Sequence, residues 1–207
     1  MLTRRINDVA PLLQPGAAGW GAASFEAVSM MPTPLAMQPT EYIRVKWEGR
    51  TYGEDPGLRV ASFHDGKRWA ICARWAGVSP SGIDFPDALA IALPVRGDPP
   101  LAIMGLEDAP IQYLRWQSNK PAPRSIVATG IGRSENGPEM DARATGTTNG
   151  AQWDVVISRP LGGEGDVAPL RAGATTKIGF AVWRGANDER GGIKSFSIDW
   201  LELTLDA

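Results

Sequence analysis

Apolar residues recur along this chain in short runs that end at glycine, at proline or at an Asp-Gly pair. Such punctuation is typical of strands joined by tight turns. Residues 88–93 are almost continuously apolar and predict a strand that is buried on both faces. Residues 111–116 alternate and predict a strand with one solvent-facing side. Asp65-Gly66 predicts a hairpin turn between strands at residues 58–64 and 69–75.

Further runs of the same kind predict strands along the rest of the chain, and none has the period of a helix of three turns. These runs are residues 25–28, 41–47, 125–130, 139–145, 152–158, 177–183 and 195–205. About ten short strands, spaced by roughly 8 to 12 residues, indicate an all-β fold. The specific prediction is an antiparallel β-sandwich with short helical pieces in its loops. Without an internal repeat or a linker, residues 1–207 are predicted to form a single domain.

The composition narrows the chemistry that the chain can perform. It has 207 residues, 43% of them hydrophobic, and a net charge of −2, without a basic run that would indicate nucleic-acid binding. No apolar run approaches the ~18 residues of a membrane-spanning helix. The single cysteine, Cys72, excludes an intrachain disulfide and argues against a cysteine-ligated metal. The single histidine, His64, argues against a histidine triad or a multi-histidine metal site.

The remaining polar motifs give almost no support for catalysis by this chain. Cys72 has apolar neighbours and is expected to be buried, whereas His64 beside the hairpin turn is expected to be exposed. The acidic pairs Glu107-Asp108 and Asp188-Glu189 lack calcium-loop spacing and are expected in solvated loops. Residues 162–165 are rich in glycine but lack the lysine of a phosphate-binding loop. No serine lies in a Gly-x-Ser-x-Gly context.

Two residues have more than one interpretation from local sequence. Met104 precedes Gly105 between two predicted strands, and a methionine there usually fills a gap in the core. Lys194 opens the last predicted strand, where an exposed charge at the strand edge is the ordinary outcome. Its neighbours Ile193 and Phe196 are apolar, so partial burial of Lys194 stays open. The eight tryptophans suit either a sandwich core or an aromatic cleft.

Three blocks of sequence resemble the haem b-binding gamma subunits of ethylbenzene dehydrogenase, dimethylsulfide dehydrogenase, selenate reductase and chlorate reductase. They occur in the same order and with similar spacing, and together they span most of residues 20–205. The blocks are residues 65–71 with Arg74-Trp75, residues 85–94 with Met104-Gly105 and Trp116, and residues 153–161 with 180–183 and 187–195.

The resemblance implies a β-sandwich that holds one non-covalent haem b, with the iron bound by a methionine and a lysine. The matching positions are Met104 and Lys194, with Lys177 and Lys120 as weaker candidates for the lysine. A thioether is a neutral ligand that favours Fe(II) and raises the potential. A lysine coordinates only as the neutral amine, so burial must depress its pKa. With both axial positions filled, such a haem transfers electrons and has no open position for a substrate.

The family also implies partners and a compartment. The chain would be the electron-transfer subunit of a molybdopterin oxidoreductase of the dimethylsulfoxide-reductase type. Its partners would be an iron–sulfur beta subunit, a molybdopterin alpha subunit and an external carrier such as a c-type cytochrome or a quinone-linked protein. A periplasmic location is expected, with a cytoplasmic complex as the alternative. The N-terminal residues carry paired arginines without an apolar segment, so export with a twin-arginine-bearing partner is one expected route.

Two other functions stay open at this point. The same sandwich architecture serves carbohydrate-binding modules, and tryptophans could form their sugar platform. That alternative predicts exposed, coplanar tryptophan rings and no haem. A haem-free structural subunit that keeps only the fold is the third possibility.

Overall fold

Strands dominate the computed structural model of the chain, which describes residues 1–80 and 85–207. Within those ranges there are fourteen strands. They are β1 (Leu2–Arg5), β2 (Glu26–Ala27), β3 (Met30–Pro32), β4 (Arg59–His64), β5 (Arg68–Ala76), β6 (Ala88–Pro94), β7 (Ile111–Gln117), β8 (Arg124–Gly130), β9 (Arg133–Asn136), β10 (Arg143–Thr148), β11 (Gln152–Pro160), β12 (Thr175–Trp183), β13 (Ser195–Ser197) and β14 (Leu201–Leu205). The predicted strand at residues 195–205 is therefore two strands.

Helical pieces are short and lie in the connections, as predicted. The α-helices are α1 (Ala18–Gly21) and α2 (Glu41–Trp47), and the 3₁₀ segments are Ala10–Leu13, Leu35–Met37, Leu101–Ile103 and Gly185–Asn187. None of the described helices is long and apolar enough to cross a lipid bilayer.

The strand predicted at residues 41–47 is wrong, because that segment forms α2. Thr40 caps the helix by accepting a hydrogen bond from the Ile43 N–H at 3.4 Å. Glu41 lies in the first turn and Lys46 in the last, which is the favourable charge order for the helix dipole. Within α2 only Trp47 is buried, so the alternating pattern of this segment reflects no sheet packing.

Eleven of the fourteen strands form one continuous hydrogen-bonded path in the order β10-β11-β5-β4-β1-β14-β12-β6-β7-β8-β9, which folds over into two layers. Off this path, β13 pairs with β12 and β3, and β2 pairs with β4. Pairing is antiparallel except at β1, which runs parallel to both β4 and β14 and joins the two halves. The predicted antiparallel β-sandwich is thus confirmed, with β1 as an addition that the sequence pattern did not predict.

The hairpin at Asp65-Gly66 is confirmed, and β4 pairs with β5 from Arg59 opposite Arg74 to His64 opposite Trp69. The Asp65 carboxylate accepts hydrogen bonds from the backbone N–H groups of Lys67 and Arg68 at 2.9 and 2.8 Å. The expected exposure of His64 is wrong. His64 is 0% exposed, because strand alternation places it on the inward face with the buried residues Val60 and Ser62.

The core lies between the two layers and is closed at one end by three tryptophans. Its strand residues are Leu89, Ile91 and Leu93 of β6, Trp69 and Ile71 of β5, Val155 and Ile157 of β11, and Ile178 and Val182 of β12. Trp75, Trp116 and Trp153 contact one another with ring centroids 5.0 to 6.3 Å apart. Trp153 donates a hydrogen bond of 2.6 Å to the buried carboxylate of Asp87. Cys72 is buried, as predicted.

Candidate functional site

The outer face of the sheet formed by β12, β6 and β7 is covered with small side chains. Along β6 the residues that face away from the core are Ala88, Ala90 and Ala92, and Ala181 of β12 lies beside Ala90 in the sheet register. All four are buried. Alanine occupies little volume, so this face leaves open space under the loops that cover it.

A cavity of about 300 Å³ occupies that space. Its volume is at the lower end of the range for cofactor and ligand sites. The floor is made by Ala90 and Ala92 of β6 and Ala181 of β12, and the walls include Leu101, Ile126 and Phe196. No aspartate or glutamate of the described ranges lines it. The cavity is therefore largely apolar, and its charged lining residues are cations.

Met104 lines this cavity and directly follows the 3₁₀ segment Leu101–Ile103. Its backbone is left-handed, with φ 64° and ψ 37°, and its N–H donates a hydrogen bond of 3.0 Å to the Leu101 carbonyl. Gly105 follows with φ 87°, where a Cβ would lie 2.9 Å from the Ala128 carbonyl oxygen. A non-glycine residue in this conformation costs about 1 to 3 kcal/mol and persists only where its surroundings hold it.

Lys194 reaches the same cavity from a different part of the chain, the loop that leads into β13. Its side chain is half-buried, and Nζ lies 5.5 Å from the centroid of the Trp183 ring. Across the described ranges Lys194 has no carboxylate within ion-pair distance. Burial lowers the pKa of Lys194 to about 8, so the neutral amine is accessible near physiological pH.

The backbone around Lys194 is held by several contacts. The Lys194 carbonyl accepts hydrogen bonds from the N–H and the hydroxyl of Thr33 at 3.0 and 3.4 Å. Gly53 packs so closely that a Cβ there would lie 2.4 Å from the Lys194 carbonyl oxygen. Ile193 and Ser195, on either side of Lys194, are buried. Both flanks of the lysine are thus fixed by the fold, while its side chain extends into the cavity.

The loop before Lys194 is organised by Glu189, whose expected place in a solvated loop is wrong. Glu189 is 1% exposed and accepts hydrogen bonds from the N–H groups of Gly53 and Arg184 at 2.8 and 2.9 Å. It also pairs with the Arg184 guanidinium at 3.2 Å. The neighbouring Asp188 is exposed, as are Glu107 and Asp108, so the expectation holds for those three residues.

The polar groups of the cavity were not predicted from the sequence. Tyr113 and Arg115 extend from the outer face of β7 into it, and burial raises the pKa of Tyr113, so its phenol stays neutral. Gln38 is 2% exposed; its amide donates to the Gly192 carbonyl at 2.9 Å, while its Oε1 has no partner in residues 1–80 and 85–207. For Tyr113 and Arg115, strand alternation was the only sequence signal of a place in the cavity. They alternate with the core residues Leu114 and Trp116 and so lie on the opposite face of β7.

The two weaker lysine candidates lie outside the cavity. Lys177 is 45% exposed and pairs with Asp98 at 2.5 Å. Lys120 is exposed in the turn that follows β7. Of the lysines considered from the sequence, Lys194 alone lines the cavity that Met104 lines.

The donor set of the cavity fits a haem better than a free metal ion. The described residues contain no group of three or more His, Cys, Asp and Glu side chains that could hold a metal. A thioether and a depressed-pKa amine are instead ligands suited to an iron already held in a macrocycle. The apolar floor of alanines provides a surface for a flat aromatic group.

Comparison with known proteins finds relatives that are named as subunits of redox enzymes. It is 34% identical over 121 residues to the gamma subunit of chlorate reductase from Ideonella dechloratans, covering 58% of this chain and 50% of that one. It is 28% identical over 186 residues to the gamma subunit of dimethylsulfide dehydrogenase from Rhodovulum sulfidophilum, covering 84% and 70%. A Haloferax mediterranei protein named as a respiratory nitrate reductase heme subunit is 25% identical over 198 residues, covering 92% and 67%. No protein-family model matches.

Two solved structures that are similar to the chain are described as carbohydrate-binding. A family 9 module from Caldicellulosiruptor kristjanssonii, in complex with glucose, aligns with a TM-score of 0.54 and covers 100% of this chain and 95% of that one. A Bacteroides uniformis protein described as carbohydrate-binding aligns with a TM-score of 0.56, covering 100% and 98%. Identity is 9% in both cases, so the likeness supports the β-sandwich fold alone.

Proposed function

The chain is a homologue of the gamma subunits of chlorate reductase and dimethylsulfide dehydrogenase, and we propose that it binds one non-covalent haem b and transfers electrons within an oxidoreductase complex. One observation carries this proposal. Met104 and Lys194, the two residues that the family resemblance implies as iron ligands, are far apart in the sequence and line one cavity.

The two side chains would suit the role of iron ligands in different ways. Met104 offers a neutral thioether at the end of a backbone held in an unusual conformation, which limits where its side chain can point. Lys194 must lose its proton to bind iron, and burial lowers its pKa to about 8. Haem b, when bound here, supplies reversible one-electron redox chemistry. The chain's own contribution is to position both ligands and to exclude water with an apolar lining.

The partners follow from the family and remain part of the proposal. The chain matches about half of the length of the chlorate reductase relative and 70% of the dimethylsulfide dehydrogenase relative. We propose a complex with an iron–sulfur subunit and a molybdopterin subunit, and an external carrier such as a c-type cytochrome or a quinone-linked protein. A periplasmic location is proposed on the same ground.

The carbohydrate-binding alternative is not favoured by the tryptophans of the structure. All eight lie in the described part of the chain: seven are buried, and the eighth, Trp200, is half-buried. Trp200 donates a hydrogen bond to the Pro99 carbonyl at 2.8 Å. The exposed, coplanar platform that this alternative predicts is therefore absent from residues 1–80 and 85–207.

A visible spectrum of the chain, purified after expression with haem supply and partner subunits, tests the proposal. Sharp α and β bands of a low-spin haem b are expected after reduction with dithionite. Lys194→Ala and Met104→Ala should each change the spectrum or lower the haem content. Lys177→Ala removes a lysine outside the cavity and should leave both unchanged. A colourless wild-type protein would reject the proposed function, and an unaltered Lys194→Ala spectrum would reject that ligand.

A further inference from the structure

Arg115 lies on the outer face of the sheet, between two neighbouring open spaces. Beside the large cavity lies a second space of about 90 Å³, whose lining includes Phe85 and Arg190. Arg115, Trp183 and Gly191 line both spaces. The guanidinium group therefore lies where an elongated ligand in the main cavity would extend toward the second space.

The charge of Arg115 has no partner within the described ranges. Its guanidinium takes part in no hydrogen bond or ion pair there, and its Nε is fully buried without an acceptor. Arg124 lies directly opposite on β8 and adds a like charge. Burial and Arg124 together lower the pKa of Arg115. The contact that remains is with the face of Trp183, whose ring centroid is 5.8 Å from Cζ. A partly buried cation without an acceptor is costly in the ligand-free protein.

We infer that Arg115 is the anion anchor of this cavity and binds an acidic side group of the cofactor, which for haem b is a propionate. The inference rests on the proposed function and adds to it the residue that sets how the cofactor lies. A guanidinium group matches a carboxylate with two parallel hydrogen bonds. No carboxylate of the described chain lines the main cavity. Glu189 lines the second space, but its carboxylate is already engaged by Gly53 and Arg184, which leaves a ligand as the source of the acidic partner.

The two cations that line the cavity, Lys194 and Arg115, have different proposed roles. Lys194 is proposed to bind iron as a neutral amine and then carries no charge for a carboxylate. Arginine stays protonated at neutral pH, so Arg115 is the lining cation that remains available to a carboxylate. Ala90 separates Arg115 from Ala181 across the floor, and an apolar ring can lie on this row while its acidic edge meets Arg115.

Haem and haem dimethyl ester, in which both propionates are masked, provide the test. Each is bound to wild-type protein and to Arg115→Gln, and its transfer to excess apomyoglobin is followed by absorbance. Wild type should release the ester about ten- to hundred-fold faster than haem, as expected for loss of a charge-assisted hydrogen bond. Arg115→Gln should release haem and ester at similar rates. Lys120→Gln removes one positive charge from an exposed position outside the cavity and should behave as wild type.

The outcomes separate this inference from the proposed function. Equal release of haem and ester by wild type would overturn the role of Arg115, and so would full discrimination retained by Arg115→Gln. A wild-type protein that binds neither compound would overturn the proposed function as well. The ester comparison in wild type requires no variant, so a poorly folded Arg115→Gln does not remove the test.

Discussion

The two faces of β6 differ in side-chain size far more than in polarity. Leu89, Ile91 and Leu93 face inward and fill the space between the layers, whereas Ala88, Ala90 and Ala92 face outward beneath a cavity. All six are buried. Apolarity alone thus fails to distinguish a face that packs in the core from a face that borders an open cavity. Size distinguishes them, because alanine leaves volume that leucine and isoleucine would occupy.

Filling the outer face should have the largest effect on binding. Ala90→Phe places an aromatic ring on the cavity floor, where free volume accepts it. We expect nearly complete loss of bound haem, with a thermal midpoint of the ligand-free protein close to that of wild type. Haem content from the visible spectrum and thermal unfolding by circular dichroism measure the two quantities separately.

Ile91→Ala is the matched variant on the inner face, one residue further along the same strand. It removes core volume and should lower the free energy of unfolding by about 2 to 5 kcal/mol, measured in urea. The cavity floor is unchanged, so the folded fraction should still bind haem. If Ile91→Ala and Ala90→Phe had the same effects on stability and binding, the division between the two faces would be wrong.

The backbone at Met104 offers a second way to separate binding from stability. At an ordinary position, alanine is more stable than glycine by about 0.5 to 1 kcal/mol. At φ 64° the order should reverse, because glycine adopts this conformation without strain. We expect Met104→Gly to exceed Met104→Ala in unfolding free energy by about 1 kcal/mol, while both lose the thioether and its spectral signature. Glycine and alanine at Ile103, which has no positive φ, should show the ordinary order.

A Met104→Gly variant less stable than Met104→Ala would mean that the left-handed conformation carries no strain. The two variants differ by a single methyl group, so a common loss of side-chain packing cancels in the comparison. The haem spectrum then reports the ligand, and the difference between glycine and alanine reports the backbone.

Much of the sandwich could be predicted from sequence, because turn residues and apolar runs mark strands locally. Each exception has an identifiable cause. Residues 41–47 alternate like a strand, yet the cap at Thr40 and the charge order favour α2. β1 is a strand only because it pairs with β4 and β14, which are remote in sequence. His64 follows the inward phase of its strand in spite of the adjacent turn.

The site was less accessible to sequence reasoning. Met104 and Lys194 came from family resemblance, and their local sequence favoured a core methionine and a surface lysine. The cavity depends on which face of β6 carries alanine, a pattern hidden in a run that is apolar throughout. Arg115 stands out only when the structure shows that its buried Nε has no acceptor in the described ranges. Glu189 stands out only when its contacts with Gly53 and Arg184 are seen. Such contacts depend on the assembled fold.

The smallest expected effect is on the pH dependence of the free energy of unfolding, and it concerns His64. His64 is a buried base on the inner face of the sandwich, whereas Lys194 lies on the outer face. Burial lowers the pKa of His64, and Arg5 adds to the effect, while Asp206 and Asp65 oppose it. Its Nδ1 accepts a hydrogen bond from Gly66, and Nε2 has no acceptor in the described ranges. In the unfolded chain, His64 has a pKa of about 6.5. Below that pH the unfolded chain binds a proton at His64 that the folded protein does not bind.

The free energy of unfolding should therefore decrease as the pH falls below about 6.5, and His64→Gln should flatten that slope. Urea unfolding of the ligand-free protein between pH 7 and 5 measures it. Lys194, with a pKa of about 8, stays largely protonated over this range. Asp65 is half-buried. Burial alone would raise its pKa, but hydrogen bonds from backbone N–H groups outweigh that effect and lower the pKa, so its contribution is lost only in stronger acid. If His64→Gln left the slope of unfolding free energy against pH unchanged, the titrating group would be a residue other than His64.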